Sequence, residues 1–342
     1  MKKICIAGKN AIAVECTKHV LKFYHSSELC VLVNETDTGH NTWQPSFKKF
    51  ALENEIEIFS QEQVYNIKNI LLISLEFDKL LPPARFNSKR LFNIHFSLLP
   101  KYKGQFTSSW PILNFETETG VTLHEIDKGI DTGAIVDQIR FEIKNDDTAK
   151  DLYHNYNTKG IELFISNFER LQNNSYNAVP QSYVGSTFYS ISSLDYKNVK
   201  INLKQTAFQI SAQIRAFCFR EYQLPQVLGW YVSKVDIMNT SSEKKAGTLL
   251  DESESFLLIS TVDYDLKVYK DHYYKFFELC KSGSSKELQG IIQLIPNLEE
   301  RNQDGCTGLM IAAQNGNLEV VEFLSKYGED FNALNSLRRA MP

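Results

Sequence analysis

At 342 residues the chain exceeds one small module, and domains of roughly 100–200 residues predict two or three units. Its 43% hydrophobic and 23% charged residues are those of an ordinary globular protein that buries a sizeable core. The formal net charge of -4 argues against a nucleic-acid partner, which usually needs a basic face.

The six cysteines (Cys5, Cys16, Cys30, Cys218, Cys280 and Cys306) form no CxxC pair. That spacing predicts neither a zinc site nor a disulfide framework, and it favours a reducing compartment. No apolar run approaches the roughly 20 residues that span a bilayer, and the first apolar run is too short for a signal peptide. The expectation is a cytoplasmic protein with no membrane partner.

In chain order, residues 3–7 predict a strand and residues 11–23 an amphipathic helix. Residues 29–33 form a second apolar run, residues 47–54 look helical, and residues 70–74 and 90–95 are apolar again. Strands alternating with helices predict an α/β fold with a doubly wound, mostly parallel sheet, whose ligands bind at the carboxyl ends of the strands. Gly8 invites a dinucleotide site, but GKNAIA lacks the GxGxxG pattern, so a plain strand-to-helix turn is expected. A helix over residues 147–171 closes this region, with Leu152, Ile161, Leu163, Ile165, Phe168 and Leu171 as its apolar face. Residues 179–270 mix strands with a helix at 204–217, and short helical segments begin near 271. The predicted divisions are 1–178, 179–270 and 271–342.

Two segments carry chemistry. The first is FNIHFSLLPKYKG, residues 92–104. Alternation along a strand puts Asn93 and His95 on one face. The amide can donate to a developing oxyanion, and the imidazole can take a proton from an attacking amine. The second is GVTLHEIDKGIDTGAIV, residues 120–136, which predicts strand, turn and strand. Asp131 at that turn could orient His95 and stabilise its charged form. Asp127 competes for the same role, and His124 is expected to be a surface or core histidine.

Both segments resemble the signature of the folate-dependent formyltransferases, a family that includes the methionyl-tRNA, glycinamide ribonucleotide and sugar N-formyltransferases. The matching residues are Asn93, His95, the SLLP turn at 97–100 and the IDTG loop at 130–133. The resemblance implies a Rossmann-like fold, a 10-formyltetrahydrofolate co-substrate and no metal. It places the pterin along residues 74–82, held mainly by backbone groups, with Ser74, Leu75, Phe77, Leu80, Leu81 and Pro82 as the lining. Lys9 and Asn10 are expected near the acceptor.

Residues 187–227 resemble the corresponding part of the sugar enzymes. Arginines that fork onto phosphate, with rings on which a base stacks, suit a nucleotide-linked amino sugar. Arg215 and Arg220 are the expected phosphate clamps, and Tyr189, Phe217, Tyr222 and Trp230 the expected platforms. The resemblance implies a dTDP-linked 3-amino-3,6-dideoxyhexose acceptor, a homodimer and a role in O-antigen or other surface-polysaccharide synthesis. It leaves 3-amino against 4-amino, and gluco against galacto, open. A methionyl-tRNA acceptor and an inactive scaffold are the alternatives.

Residues 304–335, DGCTGLMIAAQNGNLEVVEFLSKYGEDFNALN, resemble an ankyrin repeat. Gly308 and Met310 stand where Pro and His are common. Residues 276–302 look like a second, less regular repeat. So few repeats are expected to leave apolar surface wet unless they dock on their own chain or across a dimer.

Overall fold

The computed structural model describes residues 3–327, so the expected end of the ankyrin repeat at 328–335 lies outside the described residues. The chain divides into two compact units: residues up to 40 with 45–195, and residues 41–44 with 196 onward. The expected division at 178/179 falls inside the first unit, because Val179 bridges Ile135 and the strand at Phe188–Tyr189 pairs with Lys103–Gly104.

The first unit runs through β1 (Ile4–Gly8), α1 (Asn10–Val20), β2 (Leu29–Val33), α2 (Phe47–Glu53), β3 (Glu57–Ile58), α3 (Gln61–Tyr65), β4 (Leu71–Leu75) and β5 (Leu91–His95). It continues through β6 (Lys103–Gly104), α4 (Trp110–Leu113), β7 (Glu118–Glu125), β8 (Ile135–Glu142), α5 (Ala149–Gln172) and β9 (Phe188–Tyr189). The main sheet has the order β3-β2-β1-β4-β5-β7-β8. Pairing is parallel through β5 and antiparallel from β5 to β8. β1 and β4 are buried along their whole length, which is why ICIAG and LLISL read as unbroken small or apolar runs rather than alternating ones. The strand order reverses between β1 and β4, and that is where such sheets open a crevice.

Thr148 and Asp151 form a capping box that starts α5. Its buried stripe holds Leu152, Tyr156, Leu163, Phe164, Phe168 and Leu171. Ile165, expected on that face, is 44% exposed; the stripe follows a 3.6-residue period, which gives its place to Phe164. Gly160 continues the stripe where a Cβ would collide with the Ile12 side chain, so α5 lies close on α1.

The second unit contains α6 (Ala207–Phe217) and an antiparallel sheet of β10 (Gln226–Val227), β11 (Trp230–Ile237), β12 (Leu249–Glu252), β13 (Phe256–Ile259) and β14 (Leu266–Lys270), ordered β10-β11-β14-β13-β12. Ile210 and Ile214 of α6 pack on Val232, Leu257, Ile259 and Val268. Beyond β14 come α7 (Tyr273–Ser282), α8 (Ser285–Ile291), α9 (Gly308–Gln314) and α10 (Leu318–Ser325). These four helices close a core of their own around Phe276, Leu279, Leu288, Leu309, Val320 and Leu324. The expected wet apolar face is therefore smaller than the repeat count implied: Ile291, Ile292 and Ile311 are buried, and Val321 and Phe323 partly so.

Candidate active site

Ile94 faces α5, within contact distance of Gly160. By alternation its neighbours Asn93 and His95 point to the opposite face. There β7 lies alongside β5, and its register sets Asn93 opposite His124. The β7–β8 connection carries Asp131, with a φ of 54°, back over these three side chains.

The distances define one cluster. Asp131 Oδ2 accepts the Gly104 backbone N–H at 2.9 Å and lies 3.5 Å from His95 Nδ1. Its Oδ1 lies 3.6 Å from His124 Nε2 and 3.5 Å from Asn93 Nδ2. His95 Nε2 is 2.7 Å from the Tyr102 carbonyl oxygen, so that nitrogen carries the proton and Nδ1 is left as the base facing Asp131. His124 Nδ1 donates to the Glu125 carbonyl at 2.8 Å, which leaves Nε2 to accept from Asn93 Nδ2 at 3.1 Å. Asn93 thus holds one firm hydrogen bond and one at the limit of length. The second N–H is the one that can turn to a developing oxyanion.

Burial pushes the Asp131 carboxyl up. The electrostatic pull of the neighbouring His95 and His124 rings and the Gly104 N–H outweigh it and hold the group well below the usual carboxylate range. Asp131 is thus an anion beside a histidine that is 8% exposed.

The loop of residues 102–104 supplies both the carbonyl that fixes His95 and the N–H that fixes Asp131. Gly104 has a φ of 90°, and a Cβ there would collide with the Tyr189 carbonyl oxygen. Tyr189 stacks on Trp110 at 3.9 Å between centroids and on Tyr102 at 5.9 Å. Gln181 Nε2 donates to the Asp131 and Gly133 carbonyls, both at 2.8 Å, and pins the turn from outside.

Asn93, His95 and Asp131 are therefore brought together. Asp127 is not among them: its Oδ1 accepts from the Gly129 N–H and the Thr132 hydroxyl, as a turn aspartate does. His124, set aside on the sequence, is 2% exposed and touches both Asn93 and Asp131. Only the β5–β7 register brings it there, and the sequence carries no local sign of that pairing. Asn10 donates to Glu76 and to the Tyr153 hydroxyl, and the Lys9 N–H reaches the Leu75 carbonyl at 3.3 Å.

Within the expected folate segment, Leu75 and Leu81 are core residues, so only their backbone is available to a ligand. Ser74 is buried on β4, Phe77 packs partly on the core, Pro82 leads into a short 3-10 turn, and Leu80 is 74% exposed.

The residues expected on the nucleotide divide. Tyr189 is a packing element of the 102–104 loop rather than an open platform. Phe217 is 8% exposed and packs edge-on against Tyr196, which corrects its reading as a stacking ring. Arg220 is also corrected. Its guanidinium meets Asp271 at 2.6 Å and Glu300 at 2.8 Å and lies over the Tyr273 ring, so it ties β14 to the helices that follow. Arg215 is half-buried in the last turn of α6. Tyr222 packs on Phe219 and Trp43 with 56% of its surface exposed. Trp230 is 39% exposed and lies under the Lys270 ammonium.

A formyl transferase family model matches residues 17–167, and an ankyrin repeat model matches residues 304–336. The solved N-formyltransferase from Helicobacter canadensis, in complex with folinic acid and dTDP-3-aminofucose, is 43% identical; the match has a TM-score of 0.75 and covers 79% of this chain and 100% of that one. The solved sugar 3N-formyl transferase WlaRD, with dTDP and 5-N-formyl-THF present, is 45% identical with a TM-score of 0.75 over 79% of this chain and 98% of that one. Methionyl-tRNA formyltransferase of Alkaliphilus oremlandii is 26% identical over 281 residues, 76% of this chain and 88% of the relative.

Proposed function

Because the chain belongs to the folate-dependent sugar N-formyltransferases, enzymes that formylate a sugar amine, we propose that its donor is 10-formyltetrahydrofolate and its acceptor a dTDP-linked 3-amino-3,6-dideoxyhexose. One observation carries the chemistry: an anionic Asp131 beside a His95 whose free nitrogen is fixed by the Tyr102 carbonyl. The 43% identity to a protein solved with dTDP-3-aminofucose supports the acceptor. The -4 charge and the lower identity to the methionyl-tRNA enzymes weigh against a tRNA.

In this reading the acceptor nitrogen attacks the formyl carbon, forming the new C–N bond. The carbonyl oxygen becomes an oxyanion, and the loosely held Asn93 N–H turns to it. His95 Nδ1 takes the proton shed by the amine, with Asp131 stabilising the cation. Collapse breaks the bond from carbon to N10 of the folate, and His95 returns the proton to that nitrogen. Activated dideoxy amino sugars are glycosyl donors, which supports use of the product in surface-polysaccharide assembly.

The test is a panel of dTDP-amino sugars, 3-amino and 4-amino in both gluco and galacto forms, with 10-formyltetrahydrofolate. The expected result is highest kcat/KM on a 3-amino compound. Formylation of methionyl-tRNA with no sugar accepted would defeat the reading.

A further inference from the structure

Resting on His95 as the base, we propose that Thr187 is a positioning residue for the reaction: it holds the 102–103 peptide, whose carbonyl keeps the single ring proton of neutral His95 on Nε2. Two acceptors face that ring. The Tyr102 carbonyl oxygen lies 2.7 Å from Nε2, and Asp131 Oδ2 lies 3.5 Å from Nδ1. At equal distance a carboxylate is the stronger acceptor. It would draw the proton to Nδ1, and a nitrogen already protonated cannot take a proton from the amine. The closer approach of the carbonyl decides the balance, so whatever fixes that carbonyl sets the fraction of active base.

Thr187 meets the loop through every polar group it has. Its Oγ1 accepts the Tyr102 N–H at 2.7 Å. Its carbonyl accepts the Lys103 N–H at 3.0 Å, and its own N–H donates to the Pro100 carbonyl at 3.2 Å. The Lys103 N–H and the Tyr102 carbonyl are two ends of one planar peptide group. A bond at the first end therefore aims the second, and it also polarises the carbonyl that His95 meets. Tyr102 depends on this hold. Its φ is 59°, a conformation costly for a residue with a Cβ. It is also buried, so its N–H relies on a protein acceptor. The adjoining residues extend the grip: the Ser186 hydroxyl accepts from Lys103 Nζ at 3.0 Å, and the Tyr189 carbonyl accepts the Gln105 N–H at 2.8 Å. The segment has little apolar packing of its own, since Tyr183, Val184 and Phe188 are exposed. Its polar bonds to residues 100–105 are thus what fix the carbonyl in place.

The experiment uses full-length Thr187→Val, which deletes the hydroxyl at nearly constant volume, and Thr187→Ser, which restores it. Two readouts are taken: steady-state rates with a dTDP-amino sugar and 10-formyltetrahydrofolate, and nitrogen NMR of 15N-histidine-labelled protein, which reports the protonated ring nitrogen without turnover. The chain has seven histidines, and the signals missing from His95→Asn identify the ring. In the wild type His95 should carry its proton on Nε2. Thr187→Val should show a fraction protonated on Nδ1, with kcat about 3–10-fold lower, the range of one neutral hydrogen bond, and both KM values unchanged. Thr187→Ser should return both readouts to the wild-type values. A Thr187→Val enzyme whose His95 proton stays on Nε2 overturns the proposal, whether or not its rate or melting temperature falls, because a merely structural strap would not move the proton. If Thr187→Val does not fold, the same readouts on Thr187→Ala decide. A moved proton with normal kcat would instead defeat His95 as the base, the reading on which the proposal rests.

Discussion

His95→Asn is expected to lower kcat by about 10²–10⁴-fold, the usual contribution of a positioned general base, with the melting temperature little changed. The ring makes few structural bonds: one to the Tyr102 carbonyl and a longer one toward Asp131. Asp131 keeps the Gly104 N–H and its contacts with Asn93 and His124 in the variant, so the turn stays anchored. The lost function is proton transfer. The acid limb of the wild-type kcat/KM profile, where imidazole protonation removes the base, should therefore vanish from the variant. Steady-state rates across pH with a dTDP-amino sugar and 10-formyltetrahydrofolate measure both effects. Near-normal kcat in the variant would remove His95 from the reaction and leave Asn93 and Asp131 as binding groups only.

The grouping of Asn93, His95 and Asp131 was legible because its motifs are local in sequence. Asn-x-His at a strand end fixes two side chains on one face, and an aspartate in a tight turn is exposed to whatever that face presents. What the sequence hid is what depends on long-range pairing. His124 belongs to the cluster only because β7 runs antiparallel to β5 in one register. Glu76 sits inside the segment read as the folate lining, and its partners Asn34 and Tyr153 are 42 and 77 residues away. The aromatic and basic residues of α6 and its following loop failed for the opposite reason. Rings and arginines that suit a nucleotide also suit a core and an ion pair, and composition does not separate the two. Phe217 and Arg220 went to the structural use; Trp230 and Tyr222 keep exposed rings. The α/β order was legible from the apolar runs, whereas the return of Val179 to β8 and of β9 to β6 was not.

Asp271→Asn is expected to destabilise the second unit by about 3 kcal/mol, the low end for removing one partner of a buried ion pair. At a few degrees per kcal/mol for a unit of this size, its melting transition should fall by roughly 6–10 °C. The Asp271 side chain is 2% exposed and that of Arg220 is 22% exposed, so water offers little compensation. Asp271 also accepts the Tyr273 N–H through Oδ1 at 3.2 Å, and its own N–H donates to the Tyr231 carbonyl at 2.8 Å. One side chain thus joins the start of α7, the end of β14 and the loop after α6. Glu300 makes a second bond to the same guanidinium, and Trp43 adds an N–H to the Gln303 carbonyl at 3.2 Å while its ring packs on Phe219 and Tyr222. The ankyrin-like helices close their own core, so what binds them to the antiparallel sheet is this polar and aromatic seam. Ending the chain at Lys270 removes Asp271 and Glu300, both partners of Arg220, together with the Tyr273 ring beneath it, so the shortened enzyme should melt lower still or precipitate. Differential scanning calorimetry of the full chain, Asp271→Asn and the shortened form would rank the three. A shortened form that melts unchanged and keeps full activity would make the helices an independent module and leave the seam without energetic weight.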